Sequence, residues 1–532
     1  MKKFLLPILF STLFVFGFHF NANAQKLHYE LPDNASKLFV AGNYTKALEL
    51  YREIYKKDMT DTKNGYHFGV CLVNTFDFEN GIKTLEKVSK KSDAPQEVWF
   101  YLAKGYHATL RFDKAIETYK KFLQTQPSNA SLADETKRRI EQCNNAKELI
   151  KNPVNVTFEN LGNTVNSKGK DYLPLIADME SYLLFTTRRE GTTGRIFDLE
   201  GNYTADIYAS KFKSTAWSKA ASIGSPNSYG NEQTAGISEN GEIVFYYVNN
   251  PESKNNLQIA EKSKSTFKKP EMVKGKHINN KTSEQISATI TNEKDLVIYS
   301  SNVAGGKGGF DLYISRMLPN GTWSAPENIG DAINTPYNEN YPYLTNNGNT
   351  LYFASEGHHN IGGYDVFKSE YNNETNTWSK PENIGYPLNT PLDDYSICFT
   401  QDKKFAYLAA FRKDSYGDYD IYKVTLNNEP PSLTTIKGYV INQDSVVINE
   451  PIRMEVFNVE TGDLQGIYES NKKGTYIMIL PPGKYNLIAE TPNNQPFTKK
   501  FEVKGRKFYK PELNQNIRIN FAEPQPVNEN KQ

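Results

Sequence analysis

The chain contains few cysteines and has almost no net charge. Only three of its 532 residues are cysteine, and 62 Lys and Arg against 61 Asp and Glu leave a formal net charge of +1. Cys71, Cys143 and Cys398 lie in apolar or helical contexts without metal-ligand spacing, which predicts buried free thiols. A disulfide between Cys71 and Cys143 is the alternative. The neutral balance, without a basic run, argues against nucleic acid as a partner.

Long apolar runs are absent after the first residues. A membrane-spanning helix takes roughly 20 apolar residues, and only residues 4–18 approach that character. Lys2 and Lys3 precede this region, and Ala22-Asn23-Ala24 follows it before Gln25. This order is typical of a secretory signal peptide covering residues 1–24, with cleavage between Ala24 and Gln25. We therefore expect an exported protein without a direct membrane span, and no cysteine adjoins the site to carry a lipid anchor.

Motifs for catalysis are also missing. The sequence contains no nucleophile elbow, phosphate loop or zinc-protease helix, and its seven histidines are scattered. His358-His359 lacks a spaced acid or cysteine, so a metal-ligand role there is disfavoured. These absences predict a protein that is not an enzyme and holds no metal or cofactor.

A repeat organises the middle of the chain. Thr-Trp-Ser-Ala-Pro-Glu-Asn-Ile-Gly at residues 322–330 returns as Thr-Trp-Ser-Lys-Pro-Glu-Asn-Ile-Gly at residues 377–385, a shift of 55 residues. Weaker copies around Gly162, Gly224 and Gly275 bring the count to five. A period near fifty residues is typical of β-propellers, so residues 155–427 are predicted to form a five-bladed propeller. Its first strand is expected to pair with its last and close the ring.

Two sets of acids recur in these repeats. In four of the five copies an acid follows the anchor glycine by nine residues: Asp171, Glu284, Glu339 and Asp394. In the remaining copy this position is Gln233. These four are candidate propeller-mouth acids, and a solvated or turn-capping set is the alternative. A second set precedes the aromatic strand of a blade and is predicted to cap turn amides: Asp206, Asp311, Asp365 and Asp420.

The preceding segment has a helical pattern with a second period. Small residues recur every 34 positions at Ala47, Gly81 and Ala115, each framed by large apolar residues. The pattern resembles the tetratricopeptide (TPR) consensus and predicts TPR-like helical repeats over residues 25–152. In such arrays the concave face commonly receives a partner, which makes four residues a candidate partner-binding groove: Asn64, His67, Val98 and Tyr101. The alternative is that the helices only brace the next domain.

After Pro430-Pro431 apolar residues alternate with a period of two, which predicts strands. Residues 433–505 resemble a carboxypeptidase regulatory-like domain, a small transthyretin-like β-sandwich, and residues 506–532 are expected to be a polar C-terminal tail. The predicted fold class is thus multidomain α plus all-β, with a TPR-type helical solenoid, a five-bladed β-propeller and a small transthyretin-like β-sandwich.

The order of these segments resembles the multidomain envelope proteins of Bacteroidota with TPR, PD40/WD40-like and regulatory-like domains, the PorE-like type IX secretion accessory proteins. The resemblance implies a non-enzymatic scaffold or adaptor, periplasmic or associated with the outer membrane through protein partners of a secretion or gliding machine. The OmpA-like module and lipobox cysteine of other members are not found, so peptidoglycan binding and lipid anchoring do not carry over.

Two other functions remain open from the sequence. One is a carbohydrate-binding or glycan-hydrolysing propeller, and the other is a bare structural spacer. Convergence of aromatic and acidic side chains at one mouth of the propeller channel is the feature that would favour the glycan function.

Overall fold

The computed structural model describes residues 34–519 except 178–179, 214, 251–255, 265, 276, 401–402, 428–432, 491–495 and 505–511. The predicted signal peptide, with Ala24 and Gln25, lies outside the described residues. The chain divides between Leu426 and Asn427 into two compact units. The helices and the propeller-like sheets, predicted as separate domains, belong to the same unit.

The described residues begin with an array of α-helices. Asn34, Asn43, Asp61 and Asn129 each precede a helix and accept a hydrogen bond from a backbone N–H of its first turn. Gly81 lies so close to the preceding helix that a Cβ there would be 2.7 Å from Val73 Cγ2, which explains the small residue of the repeat. The helices are α1 (Ala35–Val40), α2 (Tyr44–Lys57), α3 (Thr62–Asn74), α4 (Phe78–Val88), α5 (Val98–Ala108), α6 (Phe112–Gln124) and α7 (Ala130–Leu149).

Five antiparallel sheets follow, arranged like the blades of a propeller, and the first strand of the segment is β1 (Val156–Asn160). The first sheet contains β2 (Asp171–Ala177), β3 (Tyr182–Thr187), β4 (Asp206–Lys213), β5 (Ala216–Trp217) and β6 (Ala221–Ser222). The second contains β7 (Asn231–Ile237), β8 (Ile243–Asn249), β9 (Asn256–Ser263), β10 (Thr266–Phe267) and β11 (Glu271–Met272). The third contains β12 (Gln285–Ile290), β13 (Leu296–Ser301), β14 (Asp311–Arg316) and β15 (Glu327–Asn328). The fourth contains β16 (Glu339–Thr345), β17 (Thr350–Ser355), β18 (Asp365–Asn372), β19 (Thr377–Trp378) and β20 (Glu382–Asn383).

The fifth sheet joins the two ends of the segment. It contains β21 (Cys398–Phe399), β22 (Phe405–Ala410) and β23 (Asp420–Leu426), and β1 pairs antiparallel with β23. Phe158 lies opposite Val424 in this register. The predicted pairing of the first strand with the last is confirmed, and it ties residues more than 250 positions apart into one sheet.

The C-terminal unit consists of two sheets around its own core, which includes Met454, Tyr485 and Ile519. One sheet contains β24 (Thr434–Ile441), β27 (Thr475–Leu480), β30 (Glu512–Asn514) and β31 (Ile517–Arg518), and the other contains β25 (Arg453–Asn458), β26 (Leu464–Glu469), β28 (Gly483–Glu490) and β29 (Pro496–Val503). β30 and β31 pair parallel with β24, and Ile519 is buried. The predicted boundary at residue 505 is therefore too early, because the assumed tail supplies strands and a core side chain.

All three cysteines are buried and free. This confirms the predicted free thiols and rules out the alternative Cys71–Cys143 disulfide.

Candidate functional site

The helical array docks on one loop of the fourth sheet, residues 356–363, which we call the docking loop. Arg138 Nη2 donates hydrogen bonds to the carbonyl oxygens of Glu356 and His358 at 2.9 and 3.1 Å and to Asn360 Oδ1 at 2.8 Å. Ile361 of this loop is completely buried within the core of the helices. The docking loop is thus part of the helical core as well as of its blade.

A second contact places the helices over the end of the ring at which the inner strands begin. Phe76, in the turn between α3 and α4, stacks on Phe411 with 4.3 Å between ring centroids and meets Tyr419 edge-on at 6.1 Å. Tyr419 immediately precedes β23. The helices therefore face one mouth of the propeller-like ring.

Tyrosines surround this mouth, and we call the group the tyrosine mouth. Its rings come from three of the five sheets and contact one another, with centroid distances of 6.0 Å for Tyr341 and Tyr395, 5.6 Å for Tyr364 and Tyr395 and 6.2 Å for Tyr395 and Tyr419. The members are Tyr172, Tyr341, Tyr364, Tyr395 and Tyr419. Lys170 Nζ lies 5.3, 4.7 and 4.7 Å from the ring centroids of Tyr172, Tyr395 and Tyr419. Such distances are typical of cation–π interactions.

Two carboxyl groups accompany the tyrosine mouth. Asp393 accepts hydrogen bonds from the Tyr395 hydroxyl at 3.0 Å and from the Tyr364 backbone N–H at 3.1 Å. Glu356 accepts one from Asn338 Nδ2 at 2.5 Å. Burial raises the pKa of Glu356 to about 7; the Asn338 hydrogen bond opposes this shift, and the negative charge of Asp393 adds to it. Glu356 therefore keeps its proton close to neutral pH.

The helices contribute a cation and further tyrosines to the space opposite the mouth. Lys104 Nζ donates to Asn74 Oδ1 at 2.8 Å. Burial lowers the pKa of Lys104 to about 8, and the nearby charge of Arg139 adds to this effect, while the charges of Glu135 and Asp393 oppose it.

Lys104 and Tyr101 still retain accessible surface, as Tyr341 does across from them. Burial also raises the pKa of both tyrosines. Tyr101 and Lys104 on the helices and Tyr341 on the ring are thus partly accessible where the two parts meet, and we call this region the helix–propeller cleft.

The central channel of the ring, unlike its mouth, is almost filled by side chains. It holds about 20 Å³ of free space and is lined by inner-strand residues such as Leu173, Thr234 and Tyr343. That volume is close to what a single water molecule needs. The channel therefore has no room for a sugar ring.

Of the predicted groove residues, Tyr101 and His67 are partly accessible. Tyr101 faces Tyr66 at 6.2 Å, and the His67 ring packs against Phe39 at 4.4 Å. Asn64 is half-buried, and its backbone N–H donates to the helix cap Asp61. Val98 is fully buried in the helical core and not available to a partner. Partner binding by the accessible residues stays a prediction.

Three of the four candidate mouth acids are buried turn caps. Asp171, Glu339 and Asp394 accept hydrogen bonds from the backbone N–H of Ser167, Thr335 and Thr390, each four residues earlier, at 2.6, 2.8 and 2.6 Å. Their carboxyl groups are thus turned into the blades. Glu284 is half-buried and lies beside Gln285, which takes the corresponding place in the third sheet.

The aspartates before the aromatic strands also cap turns, as predicted. Asp206 accepts from the Thr193 N–H at 2.8 Å, Asp365 from the Ile361 N–H at 2.8 Å and Asp420 from the Tyr416 N–H at 2.8 Å. Asp311 accepts from the Gly308 N–H at 3.1 Å.

Sequence reasoning missed the residues that do meet at the mouth. Lys104 and Glu356 carry no repeat signature. Lys170 and Asp393 share one repeat position, directly before Asp171 and Asp394, but their opposite charges hide the correspondence. The tyrosines did leave a signal, since Tyr172 and Tyr395 directly follow the turn-capping acids Asp171 and Asp394.

Comparison with known proteins gives partial matches. No family model matches the chain. Hsp70-Hsp90 organizing protein 1 of Glycine max is 30% identical over 121 residues, which are 23% of this chain, and the chain spans only 21% of that protein's length. Among the described residues, no helix is both long enough and apolar enough to cross a membrane.

Solved structures similar to this chain include glycoside hydrolases. A thermostable family-43 glycoside hydrolase aligns with a TM-score of 0.30 and 11% identity over 49% of this chain and 90% of its own. CoXyl43, a GH43 β-xylosidase/α-arabinofuranosidase from a compost microbial metagenome, aligns with a TM-score of 0.32 and 10% identity over 55% of this chain and 96% of its own. These matches run against the expectation of a non-enzymatic scaffold, which is dropped. The alternative from the sequence is a glycan-binding or glycan-hydrolysing propeller. At such identities the likeness concerns the fold, so the case for that alternative has to come from the site.

Proposed function

We propose that this chain binds a glycan in the helix–propeller cleft and hydrolyses a glycosidic bond there. The observation that carries the proposal is the convergence of five tyrosines and two carboxyl groups, Asp393 and Glu356, at one mouth of the ring. Such a convergence of aromatic and acidic side chains favours a glycan function over a pure adaptor.

The tyrosine mouth offers the two kinds of contact that a sugar requires. Aromatic faces pack against the C–H surface of a sugar ring, and the phenolic hydroxyls hydrogen-bond to its hydroxyl groups. The docked helices limit access of water, so polar contacts inside the cleft are stronger than on an open surface. A sugar chain would therefore be both stacked and oriented.

The two carboxyl groups fit the roles of acid and base. Glycoside hydrolysis generally uses a protonated carboxyl group that donates to the leaving oxygen and an ionised one that activates water or attacks the sugar. Glu356, whose pKa burial raises to about 7, keeps the proton that the acid needs. Asp393, held by Tyr395 and the Tyr364 N–H and facing the cations Lys104 and Arg139, serves as the second group.

Hydrolysis of plant-type oligosaccharides, measured as release of reducing ends, tests the proposal. We expect Glu356→Gln and Asp393→Asn each to lower kcat by about 10²–10⁴-fold, the usual contribution of general acid–base catalysis. Wild-type turnover should fall as the pH rises through about 7, because Glu356 then loses its proton.

Glu374→Gln, on an exposed turn of the fourth sheet, is the matched control and should keep full activity. A wild-type protein that neither binds nor cleaves any oligosaccharide would refute the proposal. Equal turnover by the Glu356 and Asp393 variants would refute the assignment of these residues.

The proposal also covers the blade number, the fold of the C-terminal unit and the cellular location. It takes the five sheets as the blades of a five-bladed propeller and the C-terminal unit as a transthyretin-like sandwich. It places the protein outside the cytoplasm, in the periplasm or at the outer membrane, as in PorE-like envelope proteins. The helical array, which resembles part of Hsp70-Hsp90 organizing protein 1, is proposed to bind a protein partner in addition.

A further inference from the structure

We infer that the glycan held in the helix–propeller cleft is acidic, and that Lys104 and Lys170 bind its carboxylate or sulfate groups. The inference rests on the proposed function, because it names the class of glycan for the same site. It is carried by two lysines of the cleft that form no ion pair with any of the described residues.

Lys104 has hydrogen-bonding capacity to spare. An ammonium group carries three N–H donors, and that of Lys104 uses one of them on Asn74 Oδ1 at 2.8 Å. Among the described residues, no carboxylate oxygen lies within the 4.0 Å of an ion pair. Asp393 acts on Lys104 only from a greater distance. The ammonium thus has free donors and, within the described part of the chain, no carboxylate in direct contact.

Lys170, on the propeller side of the cleft, likewise lacks an ion pair with the described residues. Its Nζ lies over three rings of the tyrosine mouth and contacts the Tyr395 hydroxyl at 3.3 Å. Within the described part of the chain it forms no ion pair either. The Tyr395 hydroxyl, which contacts Lys170, donates to Asp393, so the lysine borders directly on the proposed reaction centre.

Neighbouring arginines, in contrast, form ion pairs with carboxylates of the protein. Arg139 pairs with Glu135 at 2.7 Å, Arg188 with Asp198 at 3.0 Å and Arg189 with Asp171 at 2.8 Å. Arginines in this region are therefore neutralised by the protein itself, and the two lysines are left for a ligand. A desolvated charge without a partner is costly, and an anionic ligand would remove that cost on binding.

A pair of ligands that differ only in charge tests the inference. Binding of an oligogalacturonate and of its methyl ester would be measured by calorimetry at low salt. We expect the acid to bind at least about tenfold more tightly than the ester, and Lys104→Gln and Lys170→Gln each to weaken binding of the acid by about 10–100-fold. Binding of the ester should change little. Desulfated and sulfated forms of one oligosaccharide repeat the comparison for sulfate.

Lys120→Gln, on the exposed side of α6, is the matched control and should alter neither affinity. Lys104→Gln leaves no ion-pair partner behind among the described residues, so its thermal unfolding midpoint should not fall. Equal binding of the charged and neutral forms, unaffected by the lysine variants, would overturn the inference and leave the proposed function standing. Binding of inorganic sulfate as tightly as of the acidic glycans would also overturn it. Failure of every glycan to bind would overturn both.

Discussion

At the scale of single residues, most carboxyl groups of the repeats hold turns and do not face ligands. Glu232 accepts hydrogen bonds from the N–H and the hydroxyl of Ser228 at 2.9 and 2.6 Å, and Glu339 accepts the same pair from Thr335 at 2.8 and 2.6 Å. An acceptor at this place fixes the turn that leads into the inner strand. The recurrence of acids is therefore a structural requirement of each blade.

Replacement of Glu232 by Gln should remove a pH dependence of stability. Burial raises the pKa of Glu232 from 4.5 to about 7, so the folded chain holds this proton more tightly than the unfolded chain. The resulting stabilisation is complete below about pH 4.5 and is lost as the pH rises to about 7, with a span of roughly 3 kcal/mol at most. Glu232→Gln should be tolerated, since Gln285 occupies the corresponding place in the third sheet.

Urea unfolding of wild type and Glu232→Gln at about pH 5 and about pH 8 measures this effect. The variant should lose less stability than wild type between the two values. An identical loss in both proteins would show that Glu232 does not titrate in this range.

For the turn-capping residues, the sequence predicted the wrong position by one residue in two of the five repeats. Counting nine residues from the anchor glycine found the turn caps Asp171, Glu339 and Asp394, but gave Gln233 and Glu284 where the structure uses Glu232 and Gln285. The connection is one residue shorter in the second sheet and one residue longer in the third. Loop length varies at little energetic cost, so a fixed spacing cannot identify the buried acceptor.

At the scale of secondary structure elements, the repeated tryptophans connect neighbouring blades. Trp323 packs against a core cluster formed by the second and third sheets, and Trp378 against one formed by the third and fourth. Both rings are half-buried. The strongest repeat in the sequence therefore marks two tryptophans that make the same contact.

Trp323→Ala and Trp378→Ala should each destabilise the propeller-like unit by about 2–3 kcal/mol. The value lies below the 3–5 kcal/mol typical of fully buried aromatic side chains, because part of each ring faces solvent. Chemical denaturation measures the cost, with Tyr416→Ala, at an exposed position, as the control. Unchanged stability in both tryptophan variants would mean that the rings do not join the blades.

Other elements were only partly predictable. The helical repeats and the pairing of β1 with β23 followed from periods of 34 and 55 residues and from counting strands. β30 and β31 did not, since they are two or three residues long and too short to show a period. They are strands because β24 offers them hydrogen-bonding partners, a contact that lies outside their own sequence.

At the scale of the whole molecule, the helices and the ring of sheets share a core. His107 Nε2 donates to the Ile361 carbonyl oxygen at 2.9 Å, and Asn145 donates to the Asn360 carbonyl oxygen at 3.2 Å. Contacts such as Arg138 to Asn360 join residues 222 positions apart. No local pattern encodes such pairs, which is why the sequence predicted two separate domains and why the cleft between them was missed.

The docking loop should therefore couple the unfolding of the two parts. Ile361 is completely buried among helical core residues, so Ile361→Asp places an unpaired charge there and should detach the helices from the ring. We expect the helical circular dichroism of wild type and the aromatic signal of the ring to be lost together on heating, and the two to separate in Ile361→Asp. Arg138→Ala, which removes three hydrogen bonds and the contact with the Tyr337 ring but leaves the buried Ile361 side chain in place, should separate them less.

Arg316→Ala, at an exposed position on the third sheet, serves as the control and should leave a single transition. Because the cleft exists only while the helices cover the tyrosine mouth, Ile361→Asp should also abolish glycan binding without changing any residue that contacts the sugar. Coincident transitions and undiminished glycan binding in Ile361→Asp would show that the docking loop neither couples the two parts nor forms the cleft.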